Sequence, residues 1–283
     1  MLRYSGAAPC HIPPVGNLNV VSEFDLDSVC LAEQWPVRTS AVAVKAGPLV
    51  RRLQRFQALS PADIGTLENL MHNSNARAAG HPLFQENSHC DHVCVLIEGI
   101  ACRYRMLTGG RRQILGYILP GDICDVQFAS VGTPDYSVSL LTKGVVVKIA
   151  IRKLNEVLAA SAAIRRAVDM AMLIEKAILR QWLVNMAQRS ASQRLGHFLC
   201  EFLVRMEQIG CLDDRGSVPF GINQVALADT LGMSTVHVNR TLQSLRAANL
   251  IVLQKRYLHV LDREQLVAMA AFKPAYLQIR KDV

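Results

Sequence analysis

Residues 222–246 read Ile222-Asn223-Gln224-Val225-Ala226-Leu227-Ala228-Asp229-Thr230-Leu231-Gly232-Met233-Ser234-Thr235-Val236-His237-Val238-Asn239-Arg240-Thr241-Leu242-Gln243-Ser244-Leu245-Arg246. Asn223 is a good helix cap and Gly232 suits a left-handed helix terminus, so the spacing predicts a short helix between them. Ser234 then caps a second helix. Within it Val238, Leu242 and Leu245 recur at intervals of four and three, which turns them inward against Val225, Leu227 and Leu231. Thr235, Val236, Asn239, Arg240 and Gln243 are left facing outward. Two short helices joined so tightly form a helix-turn-helix, whose second helix lies in the major groove of double-stranded DNA. Arg240 carries the planar fork that pairs with guanine, and Asn239 the amide that pairs with adenine.

Downstream, Asn249–Leu253 and Tyr257–Val260 are β-prone runs separated by Gln254-Lys255-Arg256. They predict a two-stranded wing whose basic tip, Lys255 and Arg256, rests on the sugar-phosphate backbone. From Ser234 to Leu258 there are four bases, Arg240, Arg246, Lys255 and Arg256, and no acid. That local excess favours DNA. The whole-chain balance says less: 31 Lys plus Arg against 23 Asp plus Glu give a formal charge of +8 over 283 residues. The length is enough for one large core or two modest ones.

Upstream, Ser161–Gln188 has helical periodicity, and a helix of that length is a rod of about 42 Å. Ile164, Val168, Ala171, Ile174, Ile178 and Trp182 form one seam, with Met172, Leu173, Leu179 and Leu183 beside it. So much apolar surface predicts burial on two sides, one against the preceding domain and one against the same helix of a second chain. The expected assembly is a homodimer. Arg165, Arg166, Asp169, Glu175, Lys176 and Arg180 interrupt the stretch, so it is not expected to span a membrane.

Between Arg77 and Ile149 short apolar runs alternate with glycines, a grammar of strands and tight turns. A hairpin turning at Glu98-Gly99 is expected to place Val93, Val95 and Ile97 on one face with Ile100, Cys102 and Tyr104. Ser60-Pro61-Ala62-Asp63 announces a helix running toward His72. Residues 1–46 carry scattered prolines and no sustained period, and read as a poorly ordered leader.

The cysteines at 10, 30, 90, 94, 102, 124, 200 and 211 fit neither a disulfide framework nor a zinc ribbon. The N-terminus lacks a secretory start, so a reducing cytoplasm is expected. His89-Cys90-Asp91-His92-Val93-Cys94 crowds soft ligands together, and on a strand Cys90, His92 and Cys94 share a face. With Cys124 they support an alternative, a metal- or thiol-based redox sensor or enzyme. The spacing matches no recurrent metal motif, and a loop entering a half-exposed strand is the preferred account, with no metal or cofactor expected. Arg111-Arg112 reads as a solvated turn, with RNA polymerase a candidate contact. No nucleophile triad, phosphate loop or framed acid pair points to an enzyme.

The chain resembles the cyclic-AMP receptor protein and fumarate-nitrate reduction (CRP/FNR) family of bacterial transcription regulators from about Pro48 to Met269. The likeness rests on Gly80-x-x-x-Phe84, Glu98-Gly99, Gly110-Arg111 and Leu119-Pro120-Gly121-Asp122, on Ala191-Ser192-Gln193-Arg194-Leu195-Gly196-His197-Phe198-Leu199, and above all on residues 227–242. It implies an α+β fold: an N-terminal double-stranded β-helix, the jelly-roll-like β-roll of cyclic-nucleotide-binding domains, then a long dimerisation helix and a C-terminal winged helix-turn-helix. The corresponding segments are a leader at 1–46, a sensor-like β-roll at 47–158, the dimerisation helix at 159–189 and the DNA-binding domain at 190–283. A homodimer on a pseudo-palindromic operator follows, with the arginine at Arg240 on a guanine of each half-site.

The chain departs from that family in three places. Thr235 and Val236 follow Ser234 where well-known members carry a glutamate, so a carboxylate reading cytosine is absent. The phosphate-binding Arg-Ser pair is replaced at Asp135-Tyr136-Ser137, and the Gly-Glu pair at Ile123–Gln127, so cyclic AMP or GMP is not the expected effector, which stays unidentified. Cys10 and Cys30 stand far apart and Gly144–Ile149 has no cysteine, so an iron–sulfur cluster does not carry over.

Overall fold

The computed structural model describes residues 47–124, 126 and 133–277; the expected leader, with Cys10 and Cys30, lies outside them, as do Asp125 and Gln127. Two helices come first, α1 (Pro48–Gln54) and α2 (Pro61–Leu70). Ser60 caps α2 as the sequence predicts: its hydroxyl accepts from the Asp63 amide while the Asp63 carboxylate reaches back to the Ser60 amide. Eight strands follow: β1 (Ser74–Arg77), β2 (Pro82–Phe84), β3 (His92–Glu98), β4 (Ala101–Met106), β5 (Arg112–Ile118), β6 (Ile123–Cys124), β7 (Ser137–Leu140) and β8 (Gly144–Ala150). They form two antiparallel sheets, ordered β1-β8-β3-β6 and β2-β7-β4-β5. Leu83, Phe84, Leu96, Ile118, Val138 and Val146, drawn from both sheets, close the core between them. This is the jelly-roll-like β-roll.

The expected hairpin at Glu98-Gly99 is not formed. β3 pairs with β8 and β6, whereas β4 pairs with β5 and β7, so the chain changes sheets at Gly99. Gly99 has φ 96°, and a Cβ there would stand 2.7 Å from the Lys143 carbonyl oxygen, which leaves only glycine for this corner. The change of sheet separates the two apolar sets. Val93 and Val95 pack outward with α1, while Cys102 joins a cluster on the far side of the other sheet.

Two helices lead away from β8, α3 (Ile151–Ala160) and α4 (Ala162–Gln188). Ser161 caps α4 by accepting from the Ile164 amide and donates to Asp63 of α2 at 2.6 Å. The residues read as a dimer seam lie on the inner side of this rod. Ile164 and Val168 pack with α1 and α3, Ile174, Ile178 and Trp182 pack with β5 and the C-terminal half, and Ala171 is half-buried against the same cluster. The apolar residues left in solvent are Leu173, Leu179, Leu183 and Val184, with Leu183 72% exposed. Periodicity finds the apolar stripe but not which neighbour covers it, because both sides of this helix are apolar.

The C-terminal half consists of α5 (Ala191–Gln208), α6 (Gln224–Leu231), α7 (Thr235–Ala247), α8 (Arg263–Met269) and a sheet of β9 (Val218–Pro219), β10 (Ile251–Gln254) and β11 (Tyr257–Val260). The wing is therefore three-stranded, in the order β10-β11-β9, because Val218 and Pro219 pair with Leu258 and Tyr257. Asn249 does not belong to β10. With φ 54° it turns the chain out of α7, where the Leu250 amide returns to the Leu245 carbonyl at 3.0 Å. Helix α5 is the spine: Leu195, Phe198, Leu199 and Met206 are almost wholly buried in a cluster that also takes in Leu227, Leu231, Val238 and Leu242. Tyr117 of β5 and Trp182 of α4 belong to that cluster, so one apolar core runs from the β-roll to the helix-turn-helix.

Candidate nucleic-acid interface

Local caps set the two helices. The Asn223 side chain accepts from the Ala226 amide at 2.8 Å, Gly232 ends α6 in the left-handed conformation at φ 61°, and Ser234 accepts from the His237 amide to start α7. Arg194 of α5 donates to the Leu231 carbonyl at 2.8 Å and so fixes the end of α6. Val238, Leu242 and Leu245 are buried as expected. Their partners on α6 include Leu227 and Leu231 but not Val225, which is 54% exposed; Ala226 and Thr230 are buried in its stead. At 100° per residue Val225 lies off the inner face that Leu227 and Leu231 define.

The structure places Thr235, Val236, Asn239, Arg240 and Gln243 in solvent. Arg240, two residues from buried Val238, sits near the middle of the outward face, with Val236 one turn before it and Gln243 one turn after. Asn239 lies on the flank toward α6, where its Nδ2 donates to Gln224 Oε1 at 3.2 Å. Ser192, Ser234, Val236, His237, Arg240 and Ser244 line a shallow groove between the starts of α5 and α7. His237 and Ser244 were legible from the helical wheel, one turn either side of Arg240 and its neighbour. Ser192 and Gln224 were not, because only folding brings other helices beside α7.

At the wing tip Lys255 and Arg256 are both exposed, and both take positive φ, 48° and 62°. That is the backbone of a two-residue hairpin turn, and it is disfavoured for residues with a Cβ by about 1–2 kcal/mol each. The turn holds the two bases at the extremity of β10 and β11, away from the domain's core.

A second concavity lies between the β-roll and α4, a cavity of about 310 Å³ lined by Arg52, Arg103, Asp122, Tyr136 and Glu175 among others. Its arginines are engaged by acids of the chain itself: Arg103 meets Glu175 at 2.9 Å, and Arg52 and Arg205 meet Asp122 at 3.1 and 2.8 Å. Burial would push the Asp122 carboxyl up, but the two guanidiniums hold it below its ordinary value. Tyr136 stands where the family's phosphate-binding arginine is expected, beside Asp135.

The crowded soft ligands do not converge. His92 stacks on Phe84 and bonds Asp91 at 2.8 Å, the Cys90 thiol donates to the His92 carbonyl, and Cys94 faces Cys124 across the β3–β6 ladder. Among the described residues no group of three or more His, Cys, Asp or Glu is placed to hold a metal ion. Arg112 is not a solvated turn residue either; it lies in β5 and pairs with Asp229 of α6. No helix of the described residues is long and apolar enough to cross a membrane.

Two domain models match in the order in which the parts occur. Residues 76–161 match the cyclic nucleotide-binding domain and residues 193–269 the Crp-like helix-turn-helix domain. The chain is 29% identical over 228 residues to the transcriptional activatory protein AadR of Rhodopseudomonas palustris, covering 78% of this chain and 91% of that one. It is 24% identical over 235 residues to the nitrogen fixation regulation protein FixK of Bradyrhizobium diazoefficiens, covering 83% and 92%. In fold it is similar to FixK2 from Bradyrhizobium japonicum, with a TM-score of 0.63 at 19% identity over 71% of this chain and 98% of that one. Likeness of both parts, in sequence and in fold, to regulators along nearly their whole length makes this chain a member of the CRP/FNR family of transcription regulators.

Proposed function

We propose that the protein binds a pseudo-palindromic operator as a homodimer, each half-site read by one copy of α7, with Thr235, Val236, Asn239, Arg240 and Gln243 toward the bases and Lys255 and Arg256 toward the backbone. One observation carries this: Arg240 stands at the centre of an exposed, capped helix face with no acid between Ser234 and Leu258. Residues 47–158 act as the sensor-like β-roll, 159–189 as the dimer rod and 190–283 as the DNA-reading domain. The rod's partner face is the exposed Leu173, Leu179, Leu183 and Val184, which a second copy covers.

The protein works in the cytoplasm as a regulator, not an enzyme, and RNA polymerase is a candidate partner. Cyclic nucleotides are not its effector, since the arginines beside the cavity are already paired with acids and Asp135 repels a phosphate. Any signal shifts the population between dimers whose two α7 helices match the half-site spacing and dimers whose helices do not. Selection of bound duplexes from a random pool tests the proposal. The expected result is an inverted repeat with half-site centres about one helical turn apart; enrichment of no sequence, or of a single asymmetric one, overturns it.

A further inference from the structure

On the outward face of α7 the one large apolar side chain is Val236, the other exposed apolar residue being Ala247 at the helix end. Val236 is 60% exposed and shares the groove beside Arg240 with Ser192, Ser234, His237 and Ser244. Among the described residues Val236 belongs neither to an apolar core cluster nor to the hydrophobics packed against one, and its isopropyl group can neither donate nor accept a hydrogen bond. In the major groove the one apolar feature of a base edge is the C5-methyl group of thymine. We infer that Val236 is a specificity-determining residue that selects a C5-methylated pyrimidine in each half-site. The inference rests on the proposal that α7 reads the major groove.

The helix geometry fixes where that base lies. Val236 and Arg240 are four residues apart on one face, so their side chains emerge about 6 Å apart along the axis. Successive bases of a strand are about 3.4 Å apart. The methyl-sensitive base therefore lies within about two base pairs of the guanine read by Arg240, on the side toward the N-terminus of α7. Burying one methyl-sized apolar group against a valine changes affinity by about fourfold.

The same position separates this chain from a carboxylate reader. A glutamate there would accept from a cytosine amino group, whereas valine has nothing to offer that group and leaves it unpaired in the interface. Rejection of unmethylated cytosine is thus expected alongside preference for thymine. The C5-methyl has two natural sources, thymine and 5-methylcytosine, and the test separates them.

The test uses the full chain and an operator obtained by selection. Each thymine of a half-site is replaced in turn by deoxyuridine, which removes the methyl and nothing else. Wild-type protein is expected to lose about fourfold in affinity at one position per half-site, and Val236→Ala to bind the thymine and deoxyuridine duplexes equally. Val236→Thr, which keeps the shape and one methyl, is expected to retain part of the discrimination. With cytosine at that position, 5-methylation is expected to recover the same factor for wild type and nothing for Val236→Ala. Indifference of the wild type to every substitution, or an undiminished penalty in Val236→Ala, overturns the inference while leaving the operator intact. Equal binding of wild type to the operator and to a scrambled duplex overturns instead the proposal that α7 reads bases.

Discussion

Arg112 of β5 donates from Nε to Asp229 of α6 at 2.7 Å, and so ties the first helix of the helix-turn-helix to the β-roll. Next to it Tyr117 and Thr230 lie 2.6 Å apart, both buried. The Thr230 hydroxyl already donates to the Ala226 carbonyl, so Tyr117 is the donor and Thr230 the acceptor. The pose of α6, and with it of α7, is set by a strand more than a hundred residues earlier in the chain.

Tyr117→Phe is expected to lower stability by about 0.5–1.5 kcal/mol, since Thr230 keeps its bond to Ala226 and no buried donor is orphaned. Denaturant unfolding measures it. A double-mutant cycle on Arg112 and Asp229 should give a coupling of up to about 1 kcal/mol, because both side chains are partly open to solvent. A coupling near zero would mean the pair does not hold the domains.

Asp122→Asn should be far more costly, at about 3–5 kcal/mol. The carboxylate joins Arg52 of α1 and Arg205 of α5, and also accepts from the Leu119 amide at 2.9 Å. Replacing it leaves two buried guanidiniums facing one another. Combining the change with Arg205→Met is expected to recover part of the loss, which unfolding by urea would register.

His197 of α5 is 1% exposed, and among the described residues neither of its ring nitrogens finds a hydrogen-bond partner. Burial, aided by the charge on Arg189, lowers its pKa to about 4 from an ordinary 6.5. Between those values the unfolded chain binds the proton more readily than the folded one. Stability is therefore full above about pH 6.5 and falls as pH drops toward 4, by about 3 kcal/mol in all. His197→Phe should flatten that limb of the pH–stability curve; an unchanged slope would place the acid sensitivity elsewhere.

Arg240→Ala should cost about 1–3 kcal/mol of operator binding and relax preference at one base position, as binding to a panel of operator variants would show. Lys255→Gly should separate fold from function. Glycine relieves the positive φ of that position and is expected to raise stability by roughly 0.5–1 kcal/mol. The lost charge should weaken binding to all sequences alike and reduce the salt slope by about one. Weaker binding at a single operator position only would contradict a backbone role for the wing tip.

What the amino-acid sequence determined was whatever four or five consecutive residues decide between themselves. The caps at Ser60, Asn223 and Ser234, the terminus at Gly232 and the inward set Val238, Leu242 and Leu245 depend on hydrogen bonds and periodicities spanning one turn of backbone. Tertiary structure decided the rest. It chose which side of α4 is covered, split the β3–β4 hairpin between two sheets, added β9 to the wing, exposed Val225, and gave Arg112 and Asn239 their partners. Each of those outcomes turns on surfaces that are alike in local chemistry and differ only in what arrives from a distant part of the chain, so no short-range pattern distinguishes them.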